Sequence, residues 1–201
     1  MNLKKWEIAM IAAVLITALS CVSLSAGQKE LADKLIRLHV VANSDSGDDQ
    51  EAKLLVRDRV LTELDTMLAG VTERDEAIDI IESNLDEIAR VSGEELAKSG
   101  LEYRVRAAIA AENFPTRDYD TFSLPAGRYE SLRVEIGAAA GKNWWCVVFP
   151  PICGTAAGDK VTAMRSLSGG EVSLITKDTP GYVIKFKSLE LLQRLRAWIG
   201  I

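Results

Sequence analysis

One imidazole limits what chemistry this chain can do. Its 201 residues contain a single histidine, His39, so a Ser-His-Asp or Cys-His site would have to be built around it. Cys146 is the nucleophile such a pairing would use, yet a cysteine locked in a disulfide or packed among valines is inert. Asp45, Asp48, Asp49 and Glu51 cluster in sequence. They lack the glycine and distal glutamate of a calcium loop, and helix capping accounts for them better. Cys146 and Cys153 are spaced CxxxxxxC, neither a redox nor a zinc spacing, and no second pair stands outside the N-terminal apolar segment, so no metal is expected. Glycine-rich phosphate loops, HExxH and GxSxG are absent. No cofactor and no small-molecule substrate is therefore implied. Recognition is the chemistry left, with an exported cell-wall hydrolase acting through His39 and nearby acids as the alternative.

The residues best suited to recognition lie in KNWWCVVFPPIC, Lys142 to Cys153. Trp145 to Phe149 is an apolar run too short for a helix and rich in β-formers, which reads as a buried strand. Pro150 and Pro151 end it, because neither can donate to a ladder. Cys146 and Cys153 fit either a small disulfide loop, worth roughly 2 to 3 kcal/mol on the entropy model, or a pair of reduced core thiols. Two tryptophans beside two prolines exceed what a core strand needs.

The elements that position these residues follow from periodicity. Leu35 to Ala42 alternates, with Ile36, Leu38, Val40 and Ala42 on one side and Arg37, His39 and Val41 on the other, a half-buried strand. Asn43 to Gly47 is a turn. Asp48 or Asp49 can cap the next helix, whose stripe is Ala52, Leu55, Val56, Val60, Leu64, Met67 and Leu68. A second helical stretch starts near Thr72 and holds its period to Ser99. Leu101 to Ile109 and Tyr129 to Ile136 alternate as strands, and Gly137 to Asn143 reads as a hairpin into the tryptophan strand. The expected fold is α+β: a mostly antiparallel sheet with two helices on one face. Its other face carries Arg37, His39, Glu102, Arg104, Arg106, Arg133 and Glu135. Such a face is ordinarily just solvated, but arginine beside tryptophan is also the composition of protein-binding surfaces. Trp144, Trp145, Pro150, Pro151, Arg37, His39, Arg104 and Arg133 are the candidate partner-binding residues.

The ends set the compartment. Lys4 and Lys5 precede Ile8 to Ala26, a run without charge, which is the pattern of an export signal. A cleaved signal peptide and a retained transmembrane anchor both fit a run of this length. Residues 1–27 are assigned to that segment, 28–153 to an α+β domain, and 154–201 to a small α/β extension closing on an amphipathic helix. That last helix and the N-terminal one also allow a structural reading, a domain bridging two membranes. The net charge of −5 and pI near 5.1 count against nucleic acid as a partner.

Four stretches carry a family resemblance: LIRLHVVANSDSGDDQEAKLLVRDRVL (35 to 61), FPTRDY (114 to 119), LPAGRYESLRVEIG (124 to 137) and GKNWWCVVFPPIC (141 to 153). They resemble the stage II sporulation protein R family, and beyond Cys153 the likeness is loose. The resemblance implies a signalling protein of endospore-forming bacteria, exported from the forespore into the space facing the mother cell. It also implies a partner there: a membrane-embedded aspartic protease, stage II sporulation protein GA, which removes the pro-sequence of sigma factor E. It brings no catalytic residues to carry over.

Overall fold

The computed structural model describes residues 4, 10, 29–119 and 123–151. The chain divides into two compact units, one of residues 32–113 and 128–168, the other of 1–31, 114–127 and 169–201. In the first unit, β1 (Ile36–Val41) is followed by three helices, α1 (Gly47–Met67), α2 (Arg74–Ser83) and α3 (Leu85–Lys98). Then come β2 (Val105–Phe114), β5 (Gly127–Ile136) and β6 (Asn143–Phe149). In the second unit β3 (Arg117–Asp118) and β4 (Ser123–Leu124) pair antiparallel, and the Ser123 hydroxyl donates to the Asp118 carboxylate.

The α+β class holds, and the sheet is mixed. Its order is β2-β5-β1-β6, with β1 parallel to β5 and antiparallel to β6. Links from Arg104 to Gly137, Arg106 to Glu135 and Ala110 to Ser131 run in opposite chain directions, so β2 is antiparallel to β5. The expected hairpin from β5 to β6 is corrected by this order. β1 lies between those strands, so residues 137–142 cross its C-terminal end instead of turning directly.

That crossing explains the sequence on both sides of it. Asn43 Oδ1 accepts from Ala138 N at 2.9 Å, Asn43 O from Ala140 N at 3.1 Å, and Ala42 O from Gly141 N at 2.9 Å. Asp45 Oδ1 accepts from Lys142 N at 2.7 Å. The approach is too close for side chains at two positions. A Cβ on Gly137, which has φ +57°, would lie 2.3 Å from Asn43 Oδ1, and one on Gly141 would lie 2.2 Å from the Ser44 carbonyl oxygen.

The first helix is capped by Ser46, whose hydroxyl accepts from Asp49 N at 3.2 Å, and not by Asp48 or Asp49. Asp49 instead turns inward and is buried. Its carboxylate accepts from Asn43 Nδ2 at 2.9 Å and Ser44 Oγ at 2.5 Å. The Ser44 and Asn43 donors hold this carboxyl below its ordinary value, against the opposing effect of burial. Ala52, Val56, Val60, Leu61 and Leu64 form the buried stripe of α1, while Leu55, expected in it, is exposed. The second helical stretch breaks at Asn84, which has φ −119° and whose Nδ2 donates to Ile80 O at 2.7 Å. An asparagine side chain that binds backbone competes with the helix, so one expected helix becomes α2 and α3.

The helices cover one face of the sheet. Ile36, Leu38 and Val40 of β1, Leu132, Val134 and Ile136 of β5, and Cys146 and Val148 of β6 pack with Val56, Val60, Leu64, Ile81 and Ile88. Every residue of β1 is buried, which corrects the half-buried reading of that strand. Arg37 is 0 % and His39 7 % exposed, so these two are not part of a solvated face.

Candidate functional site

The site is the face of the sheet turned away from the helices, and Glu112 on β2 is its centre. β5 lies between β2 and β1, and the β5 side chain that Glu112 crosses diagonally is the small Ser131, whose partner on β1 is Arg37. Glu112 therefore reaches past β5 to β1: Oε2 lies 2.9 Å from His39 Nδ1 and accepts from Ser131 Oγ at 2.9 Å. Its other oxygen accepts from Arg133 Nη1. Arg133 also donates through Nε to Glu135 at 2.9 Å, and Glu135 pairs with Arg106 at 3.0 Å. One chain of charges thus ties three strands together.

Burial pushes the Glu112 carboxyl up, but the donors His39, Arg133 and Ser131 outweigh it and hold the group below its ordinary 4.5. Glu135 behaves alike: burial raises it, and the two arginines bring it below its usual value. For Arg133, burial favours the neutral form, and its two carboxylate partners reverse this and raise it further.

His39 is fixed at both nitrogens. Nε2 lies 3.0 Å from Asn143 Oδ1 on β6, and the ring stands 5.7 Å from that of Trp145. A general base needs a nitrogen within reach of a proton it can remove, and here both nitrogens already have partners. The pairing of His39 with Cys146 is ruled out by register. Cys146 is opposite Leu38 and packs with it among the helices, whereas His39 is opposite Trp145 on the other face. Among the described residues no group of three or more His, Cys, Asp or Glu is placed to hold a metal.

A family model described as Stage II sporulation protein R matches residues 32–158. The chain belongs to that family. It is 40% identical over 121 residues to Stage II sporulation protein R of Bacillus subtilis (strain 168), a stretch that covers 60% of this chain and 54% of that protein. The match thus spans about half the length of that relative. No solved structure matches. Membership in the stage II sporulation protein R family assigns the chain a role in sporulation. The matched residues include β1, the three helices, β2, β5, β6 and all of the Glu112 network.

Within this family member the remaining candidate residues separate. Trp144 and Trp145 are successive residues of β6 and point to opposite faces. Trp144 packs against the core cluster on the helix side, with the Arg57 guanidinium 4.4 Å from its ring centre. One surface therefore cannot present both, which corrects the expectation that they act together. Arg37 serves the interior: Nε donates to Cys146 O at 3.2 Å, and the guanidinium lies 5.1 Å from the Tyr129 ring centre. Arg133 is in the network, and Arg104 is exposed at the foot of β2. Pro150 is buried, Pro151 exposed, and the Phe149–Pro150 bond is cis. Cys146 is buried, and Cys153 lies outside the described residues. Sequence reasoning missed Glu112 because it ended the strand at Ile109, and passed over Ser131 because a small hydroxyl within the expected strand 129–136 carries no signal of its partner. For Glu112 the signal was there, since Ala108, Ala110 and Glu112 continue the alternation of Arg106.

No helix among the described residues is long and apolar enough to cross a membrane. The expected export or anchor segment, 8–26, lies outside the described residues except for Met10, as does the extension from 154 to 201.

Proposed function

We propose that this protein is an exported sporulation signal that activates a membrane-embedded aspartic protease, stage II sporulation protein GA, and so starts processing of pro-sigma-E. The observation that carries this reading is how the polar groups of the sheet face are used. His39, Glu112, Ser131, Arg133 and Glu135 are bonded to one another, which leaves a rigid, patterned surface and supports recognition over catalysis. Membership in the family supports the sporulation half of the proposal. Activation then requires that the protein bind the active state of the protease better than the inactive one. Docking uses the Trp145 side of the sheet, where that ring stands beside His39.

In the same reading, residues 8–26 carry the chain across the forespore membrane and either remain as an anchor or are removed. Cys146 pairs with Cys153, a pairing supported by the placement of Cys21 within the apolar N-terminal run, which leaves these two outside it.

The test is to add the full chain to membranes that contain the protease and pro-sigma-E, and to follow both binding and cleavage. Saturable binding with cleavage is expected. Folded protein that produces neither sinks the proposal. His39→Ala separates the hydrolase alternative in the same assay: folded His39→Ala protein still triggers cleavage if the chain is a signal, whereas cell-wall hydrolysis through His39 would vanish with it.

A further inference from the structure

Among the described residues the outer edge of β2 is open over residues 105–113, and β2 has one neighbour in the sheet, β5. A cleft of about 380 Å³ runs along residues 104–108, between this edge and Leu85, Asp86 and Ala89 of α3. An open edge over residues 105–113 is a template for another strand. Which strand it suits can be read from its backbone phase and its charges.

Gly137 N donates to Arg104 O at 2.9 Å. In an antiparallel pair, residues whose N–H and C=O face the neighbour alternate with residues whose groups face away. Arg104, Arg106, Ala108 and Ala110 therefore direct their backbone groups to β5, and Val105, Ala107, Ile109, Ala111 and Asn113 direct theirs outward. The side chains of this stretch read Arg106-Ala-Ala-Ile109-Ala-Ala-Glu112, symmetric about Ile109 in size and opposite in charge at its ends.

We propose that β2 pairs with β2 of a second copy of this chain, antiparallel about a two-fold axis at Ile109, joining two four-stranded sheets into one. The register sets outward-facing residues against each other: Ile109 against Ile109, Ala107 against Ala111, Val105 against Asn113. Arg106 then lies directly opposite Glu112 of the second copy, with Arg104 diagonal to it, at both ends of the ladder. Opposite charges in that position favour the pairing, and like charges oppose it. Sliding the axis to Arg106 would set that residue against itself. The alanines leave no bulk between the strands, and Ala108, Ala111 and Asn113 are exposed. A closed two-fold dimer also removes the open edge without making a filament. This inference is independent of which protein the chain activates.

The decisive experiment is the molar mass of the full chain by light scattering on a sizing column, in mild detergent that keeps the apolar N-terminal run dispersed. Twice 21.9 kDa is expected at high loading, falling toward one on dilution. Ala111→Pro deletes an outward N–H that β5 does not use, and should give a monomer with unchanged circular dichroism. Arg106→Glu, at a side chain 56% exposed, places like charges opposite each other and should do the same. A wild-type protein that is monomeric at every concentration overturns the proposal. So does a dimer that survives both folded substitutions, because its interface would then lie elsewhere.

Discussion

Glu112 accepts from three side chains, and removing it should be felt at each. In Glu112→Ala, His39, Ser131 and Arg133 lose their shared acceptor on a side chain only 17% exposed. Stranding partly buried donors costs about 2–3 kcal/mol, which urea denaturation will read as a lower midpoint with little change in slope. Glu112→Gln keeps the shape and one acceptor oxygen and should cost less. The same carboxylates set the acid limit. The folded protein holds Glu112 and Glu135 below their ordinary 4.5, and Asp49 below 3.8. The unfolded chain thus binds more protons in that range, and their contribution to stability is complete above those values and is lost as pH falls through the folded ones. A melting-temperature profile against pH should be flat above about pH 5 and fall below it, less steeply in Glu112→Ala. An equal slope in that variant would place the acid-sensitive groups elsewhere.

At the scale of elements, the loop over the end of β1 is the feature most exposed to small changes. Gly141→Ala meets the fixed backbone carbonyl of Ser44, which cannot rotate away. Gly137→Ala meets the Asn43 side chain, and also has a positive φ. Each should cost about 1–3 kcal/mol, and a thermal melt on protein of this size would register that as several degrees. Ser46→Ala should cost about 1 kcal/mol through loss of the α1 cap. Much of the element order was legible in the sequence, because alternation in 101–109 and 129–136 and the helical stripe in 52–68 are local signals. The insertion of β1 between β5 and β6 was not legible. Local pattern makes neighbours of strands joined by a short turn, and only the pairing of residue 36 with residues near 130 and 149 reveals otherwise. The burial of Arg37 and His39 was also hidden, because a polar residue in an alternating strand looks the same whether its partner is water or a carboxylate. Glu112 was lost to a strand boundary, the least legible feature of any sequence.

For the whole molecule, the separation of the two tryptophans turns one docking hypothesis into a choice between faces. Trp144 is half-buried and packs against the core cluster beside α1 and under Arg57, so Trp144→Ala should act on stability, at about 1–3 kcal/mol. Trp145 stands by His39 on the network side, and as an interface anchor its removal should cost about 2 kcal/mol of binding, near thirtyfold in the concentration of protein needed for half-maximal cleavage of pro-sigma-E. The contrast between the two is the informative quantity. Corrected for the folded fraction, Trp144→Ala should activate like the parent and Trp145→Ala should not. The reverse pattern would move the docking surface to α1, where Leu54 and Leu55 are exposed beside Arg57. Full activity in both would move it away from β6, and the cleft along β2 would then have to be tested as the contact with the protease.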